Sequence, residues 1–249
     1  EKEFSGLGLH PRRVPFLPHA LVFSPDEPPY RSVPFVQGRF WPQDVSSQLV
    51  AQLAVPGEGE TVLDGCAGFG TKTLSLALDA GSGATVVAAD VNANRVASLR
   101  ERFEKTGLEG VRFQAADLAA PPFAAAAFDR VMVDAPCSGL GTIRRHPELK
   151  WRRNAGDVTA NAGIQAALLA GAATLVKPGG KLIYAVCTFS RAEGSGVVES
   201  FLAAHAQFSR SPFELHDETL RTSEGDLLIS PTQYRSDCFF AAMLVRNGG

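Results

Sequence analysis

Cysteine is scarce in this chain: Cys66, Cys137, Cys187 and Cys238 are scattered through 249 residues. No two are spaced as the close CxxC pair of a zinc site, and a chain of this length builds a core without disulfide staples. No metal is expected, and free thiols in a reducing, cytoplasmic setting are. Long apolar runs are missing too. No stretch is expected to span a bilayer, and the charged first residues lack the apolar segment of a secretory signal, so no membrane partner is expected. Excess charge of either sign is lacking, with a formal net charge of -2 at pH 7. Any case for nucleic acid must therefore rest on local charge. The chain opens on Glu1, as expected of a piece of a longer protein.

What is present is ordinary for a globular protein, 45% apolar and 20% charged, and fits one large domain or one domain with an appendage. Residues 1–36 hold seven prolines and no sustained periodicity. An N-terminal arm or accessory segment that builds no core is expected there, with the main domain over 37–249. In "FWPQDVSSQLV", Asp44 or Ser46 is expected to cap a helix whose apolar face holds Val45, Leu49, Val50 and Leu53. Short β-branched runs follow at 61–66, 85–90, 111–117, 129–135 and 181–187, with helical patterns between them. One such pattern ends on Gly107. This rhythm predicts an α/β fold, a Rossmann-like, doubly wound and mostly parallel sheet with helices on both faces. "FELHDE" (213–218), "DLLISP" (226–231) and "CFFAAMLVR" (238–246) are expected to be antiparallel strands closing it.

The first strand ends in "LDGCAGFGTKT", whose glycines at 65, 68 and 70 permit a tight turn and close ligand approach. The next three strands each end on an aspartate, Asp90, Asp117 and Asp134, where an open parallel sheet has its ligand crevice. Asp90 lies 20 residues past Gly70, the spacing that suits ribose hydroxyls, and Asp117 is placed to receive an adenine amino group. Helix capping alone would also explain an aspartate at any one of these turns. No glycine loop ending in Gly-Lys-Ser/Thr is present, which favours a small adenosine-containing cofactor over a nucleoside triphosphate.

The fourth run opens into "DRVMVDAPCSGLGTIRRHPELKW", residues 129–151. Cys137 there and Cys187 at the end of the next strand are expected at one crevice, whereas Cys66 and Cys238 read as buried filler. Nearby cations favour a thiolate. Arg144, Arg145, His146, Lys150, Arg152 and Arg153 stand against the single acid Glu148, and Trp151 lies among them. A solvated surface loop is the ordinary account of such a run. A local excess in an acidic chain, interleaved with an aromatic ring, suits RNA phosphates and a stacked base instead.

"DAPCSGLGTIRRHPELKW" together with "YAVCTFSRAE" resembles the Sun/Fmu (nucleolar-protein-type) family of RNA cytosine-C5 methyltransferases, over roughly residues 36–246. The resemblance implies a seven-stranded methyltransferase sheet, a catalytic domain over 37–249 and S-adenosylmethionine as cofactor. Cys187 would be the nucleophile, Cys137 the second thiol that helps release product, and Asp134 the residue that holds the base. The cofactor site would comprise Cys66, Ala67, Gly68, Phe69, Gly70, Thr71 and Lys72 with Asp90, Asp117 and Asp134. Arg144, Arg145, His146, Lys150, Trp151, Arg152 and Arg153 would bind RNA, ribosomal in preference to transfer RNA, and a monomer is expected. Two segments depart from the family pattern. "CAGFGTKT" stands for "CAAPGGKT", placing Phe69 at a proline and Thr71 at a glycine. Val186 precedes Cys187 where "TCS" is usual, and Ala192-Glu193-Gly194 stands for the family's "EEN". A catalytically silent RNA-binding module of the same fold is the competing expectation.

Overall fold

Two apolar registers alternate along the central strands, so the sheet buries both of its faces. In the computed structural model, which describes residues 2–24, 26 and 28–248, a small N-terminal unit precedes the sheet. It holds α1 (Lys2–Gly6), β1 (Arg12–Val14), β2 (Leu17–Val22) and α2 (Val33–Val36). The alternating part runs α3 (Val45–Gln52), β3 (Thr61–Asp64), α4 (Thr71–Asp79), β4 (Thr85–Asp90), α5 (Ala93–Glu104), β5 (Val111–Ala115) and β6 (Phe128–Asp134). It continues with α6 (Leu149–Arg152), α7 (Ala155–Leu175), β7 (Val176–Val186) and α8 (Ser195–Ala204). Strands β8 (Phe208–Arg210), β9 (Leu227–Ile229) and β10 (Phe239–Arg246) close the chain.

The sheet order is β5-β4-β3-β6-β7-β10-β8, with β9 also on β10. Strands β5 to β7 pair in parallel, and β10 is antiparallel to β7, β8 and β9. This is the expected doubly wound sheet with an antiparallel end. Leu63, Val131, Val133 and Tyr184 face α7 and α8, where they meet Leu168, Leu169, Val198 and Phe201. Their neighbours Val62, Met132, Ile183 and Ala185 face the other way, onto Leu49, Val50 and Leu76. Each such side chain taken fully from water contributes roughly 1.5–3 kcal/mol. With both faces apolar, hydrophobic pattern alone sets register weakly. Asp129 sets it at the strand starts, accepting from Thr61 N of β3 (2.9 Å) and from Lys177 Nζ of β7 (2.9 Å).

Several expectations are corrected by tertiary packing. "FELHDE" forms no strand; β8, three residues earlier, takes that place on β10. Helix α5 stops at Glu104, and Gly107 lies in the turn beyond it at φ +69°. The N-terminal segment does build core, because Val14, Leu17 and Ala20 of its hairpin pack with Val62 and Ile183. Residues 1, 25 and 27 of that segment lie outside the described residues. Helix α7 is, by length and composition, apolar enough to cross a membrane. Alanine supplies much of that character, and Leu168, Leu169, Ala172 and Leu175 are buried on the sheet. At α3, Asp44 is the cap, accepting from Ser46 N at 3.0 Å.

Candidate active site

Strand β3 has β4 on one side and β6 on the other, so the loops leaving β3 and β6 part in opposite directions and open a crevice between them. The glycine turn lies there. Gly70, at φ +79°, precedes α4, and a Cβ on it would stand 2.0 Å from Leu99 Cδ1. No other residue fits that approach without moving Leu99. Gly68 N donates to Asp90 Oδ2 at 3.0 Å, while Asp90 Oδ1 accepts Asn92 N at 2.9 Å. Asp90 therefore braces the glycine turn and starts the next helix together. Asp117 is exposed after β5 and accepts Ala119 N at 2.9 Å. Phe69 replaces a conformationally fixed proline with a ring that is 75% exposed. Its carbonyl is held instead, accepting from Arg102 Nη1 at 2.7 Å, and that guanidinium lies 3.8 Å over the Trp41 ring. Thr71 is the first residue of α4.

Burial pushes the Cys66 thiol well up, and the charges of Asp64, Asp134, Asp90 and Asp117 push it further. Four acids of the crevice thus act on this thiol. Asp64 escaped the sequence reading, although "TVLD" repeats the strand-ending aspartate used to pick out the other three. It is fully buried. Oδ2 accepts Thr73 Oγ1 at 2.7 Å, and Oδ1 has no partner among the described residues. Burial raises its pKa from 3.8 to about 7, against the lowering effect of the Thr73 hydrogen bond. An acid floor with an unsatisfied carboxyl suits a ligand bearing ammonium, sulfonium and hydroxyl groups, as S-adenosylmethionine does, and repels a polyphosphate.

The Asp64 shift carries a prediction with a definite sign. The folded chain holds this proton more tightly than the unfolded chain, so the contribution of Asp64 to stability is fully present below about pH 4 and is lost as pH rises through about 7. Asp64→Asn removes the titration. Urea unfolding at about pH 4 and about pH 8 should show the variant losing less stability than wild type across that interval, by at most ~4 kcal/mol. Parallel pH dependences would mean that Asp64 ionises in the fold as it does in an open chain.

At the other wall, β6 and β7 are parallel neighbours with Asp134 opposite Ala185. Their C-terminal loops bring Cys137 Sγ within 3.3 Å of Cys187 Sγ, both half-buried. The Cys187 loop is fixed by Gly141, whose N–H donates to Cys187 O (2.9 Å) and whose carbonyl accepts Cys238 N (2.9 Å). A Cβ on Gly141 would lie 2.2 Å from Cys238 O. The hydrogen bond from Cys137 lowers the pKa of Cys187, and Lys72 adds to this against the opposing effect of burial. The same contact, with burial, raises Cys137. Burial likewise raises Cys238, to about 11. Lys72, buried in α4, donates to Asp134 Oδ2 at 2.6 Å and sits 4.8 Å from the Phe239 ring centroid. It therefore faces the thiols as well as the cofactor side.

The cationic segment divides. Arg144 pairs with Asp44 (3.1 Å) and Asp237 (3.4 Å), and Arg145 pairs with Asp237 (2.9 Å), a carboxylate that is itself buried. Two guanidinia offset the cost of burying that acid. Arg153 Nε donates to Ser138 O at 2.9 Å and so ties α6 to the Cys137 loop. His146 lies 3.6 Å from Glu148. Lys150, Trp151 and Arg152 on α6 face solvent, with Trp151 89% exposed. Phe189, two residues past Cys187 and 61% exposed, is a second surface aromatic near the thiols that the sequence reading passed over.

A sheet of this order, with an acid-lined crevice at its switch point, has the fold of S-adenosylmethionine-dependent methyltransferases. Within that class, residues 51–245 match the family described as 16S rRNA methyltransferase RsmB/F, and the chain belongs to that family. It is 40% identical over 173 residues to ribosomal RNA small subunit methyltransferase B of Thermus thermophilus, covering 70% of this chain and 42% of that protein. The protein of the same name from Cronobacter sakazakii is 34% identical over 239 residues, 96% of this chain and 53% of that protein. Among solved structures, that of PH0851 superposes with a TM-score of 0.88 at 30% identity, covering 98% of this chain and 55% of that one. The chain spans about half the length of the curated relatives it matches.

Proposed function

We propose that this chain methylates carbon 5 of a cytidine in RNA, small-subunit ribosomal RNA in preference to transfer RNA, through a covalent bond between Cys187 and carbon 6 of the base. The observation that carries this reading is the 3.3 Å approach of Cys137 and Cys187 beside the Lys72–Asp134 pair. Carbon 5 of cytosine is too weak a nucleophile to take a methyl group unaided. Attack of the Cys187 thiolate on carbon 6 forms a C–S bond and moves the ring electrons onto carbon 5. Asp90 and the glycine turn would hold S-adenosylmethionine, whose sulfonium would supply the electrophilic methyl and be left as a neutral thioether. The hydrogen on carbon 5 then leaves to a base as a proton. Its electron pair restores the ring double bond and expels Cys187.

The residues around the thiols suit these steps. The Lys72–Asp134 hydrogen bond holds a proton that can polarise the ring at N3. Cys137, 3.3 Å from Cys187, suits the role of giving its proton to the departing sulfur. The target base must leave its stack to reach a half-buried thiol, which favours single-stranded or transiently opened RNA. Lys150, Arg152 and Trp151 suit the phosphates and bases flanking it, while Arg144 and Arg145 shape the loop.

The test is incubation of the chain with methyl-tritiated S-adenosylmethionine and small-subunit ribosomal RNA, followed by digestion to nucleosides. Label eluting with 5-methylcytidine is the expected result. Label in another nucleoside would overturn the cytosine-C5 assignment. Bound cofactor with no label in any RNA would favour the silent RNA-binding module.

A further inference from the structure

Cys137 and Cys187 stand on separate loops with no covalent link between them. Glu193, fully buried in the Cys187 loop, spans the gap. Its Oε1 accepts Ser138 N at 2.6 Å and Gln165 Nε2 at 3.4 Å, and its Oε2 accepts Ser138 Oγ at 2.5 Å. Ser138 directly follows Cys137. Its hydroxyl also lies 3.2 Å from Thr188 Oγ1, and Thr188 directly follows Cys187. Gln165 donates in addition to Pro136 O at 2.9 Å, and Tyr184 OH donates to the Glu193 carbonyl. The residue after each thiol is thus held in one buried network centred on a carboxylate.

The hydrogen-bond partners of this carboxylate among the described residues are all uncharged. Burying a carboxylate costs several kcal/mol, which neutral donors offset only in part, and an apolar side chain would fill the same space without that cost. Packing alone therefore does not account for an acid here. We propose that Glu193 is a positioning residue for the thiol pair, which by gripping the main chain and hydroxyl of Ser138 holds Cys137 as hydrogen-bond donor to Cys187. The inference rests on the reading of Cys187 as the nucleophile. Gln165 from α7 anchors the carboxylate and Tyr184 from β7 anchors the Glu193 main chain, so the clamp is referenced to the core. The family pattern "EEN" is reduced here to one acid, and Glu193 is that acid.

The titratable and charged groups that act on Cys187 are Cys137, Asp134, Lys72, Cys238 and Arg145. Substitution at Ser138 removes none of them, and Glu193→Gln removes a negative charge whose loss alone would lower the Cys187 midpoint, so an upward shift reports a changed Cys137 contact. The experiment measures iodoacetamide alkylation of Cys187 against pH, with the Cys137 and Cys187 peptides resolved by mass spectrometry. Glu193→Gln is expected to move the Cys187 midpoint up by about one unit. It should also lower kcat for methyl transfer about tenfold or more, with KM for RNA and cofactor changed less than about twofold. Ser138→Ala keeps the 2.6 Å main-chain bond, so the same direction at smaller size is expected. If Glu193→Gln does not fold, Ser138→Ala decides alone. Folded variants that alkylate with the wild-type pH profile would overturn the proposal. A shifted profile in a wild-type background that forms no 5-methylcytidine would keep the positioning role and sink the functional reading; an unshifted profile with 5-methylcytidine formed would do the reverse.

Discussion

Cys187→Ala is expected to abolish methyl transfer, by about 10⁴-fold or more in a single-turnover assay, the scale on which an enzyme loses activity when its nucleophile is removed. The competing assignment gives the nucleophile to Cys137, and the two differ in direction of proton donation. The Cys137 contact favours the Cys187 thiolate and the Lys72 ammonium adds to this, against burial and Asp134. The same contact and burial push Cys137 the other way, and Asp134 adds to this. The glycine turn, Asp90 and the Arg102 tether lie on other strands and helices, so cofactor affinity measured by calorimetry should change less than about threefold. Truncating one half-buried thiol should cost about 1 kcal/mol of stability. Retention of activity within tenfold of wild type would assign the attack to Cys137 instead.

The parallel half of the sheet was legible in the sequence because its strands carry both of the signals that sequence can carry. They are β-branched runs, and each is followed by a turn or cap that ends it. The C-terminal part was less so. "FELHDE" alternates like a strand but finds no partner, since β7 takes one edge of β10 and the three-residue β8 and β9 share the other. Pairing is decided by a partner far along the chain, which local periodicity does not encode. The proline-rich start misled for a similar reason: Val14 and Leu17 become core only because α3 and the sheet offer them a surface.

At the site, residue types and strand ends located both thiols and three of the four crevice acids. The division of labour among the cations was not legible. Arg144 and Arg145 read as an RNA patch until Asp237 and Asp44, more than 90 residues away in either direction, are brought against them. Lys72 read as part of the cofactor turn, yet the helix that follows points its ammonium at Asp134. Glu193 looked like the remainder of a lost motif. Only the fold reveals that the residue kept is the one reaching Ser138.

Cys137→Ala should give the opposite phenotype from Cys187→Ala: a covalent RNA–protein adduct that survives denaturing electrophoresis and disappears on RNase treatment. Two effects compete in this variant. The Cys187 thiolate loses a hydrogen bond worth roughly 1.5–3 kcal/mol, which slows attack by about 10- to 100-fold. The adduct loses its proton donor as well, and the sulfur must depart as a bare thiolate into a half-buried site facing Asp134. Attack is assisted by Lys72 and by the polarised base; departure has in Cys137 the one thiol seen in contact with Cys187. Exit should therefore slow more than entry, and adduct should accumulate while multiple turnover falls by about 100-fold or more. Cys137→Ser, which restores a donor of weaker acidity, should show less adduct than the alanine variant. Slow turnover with no more adduct than wild type would place the role of Cys137 before methyl transfer, as a partner that prepares the nucleophile rather than one that releases it.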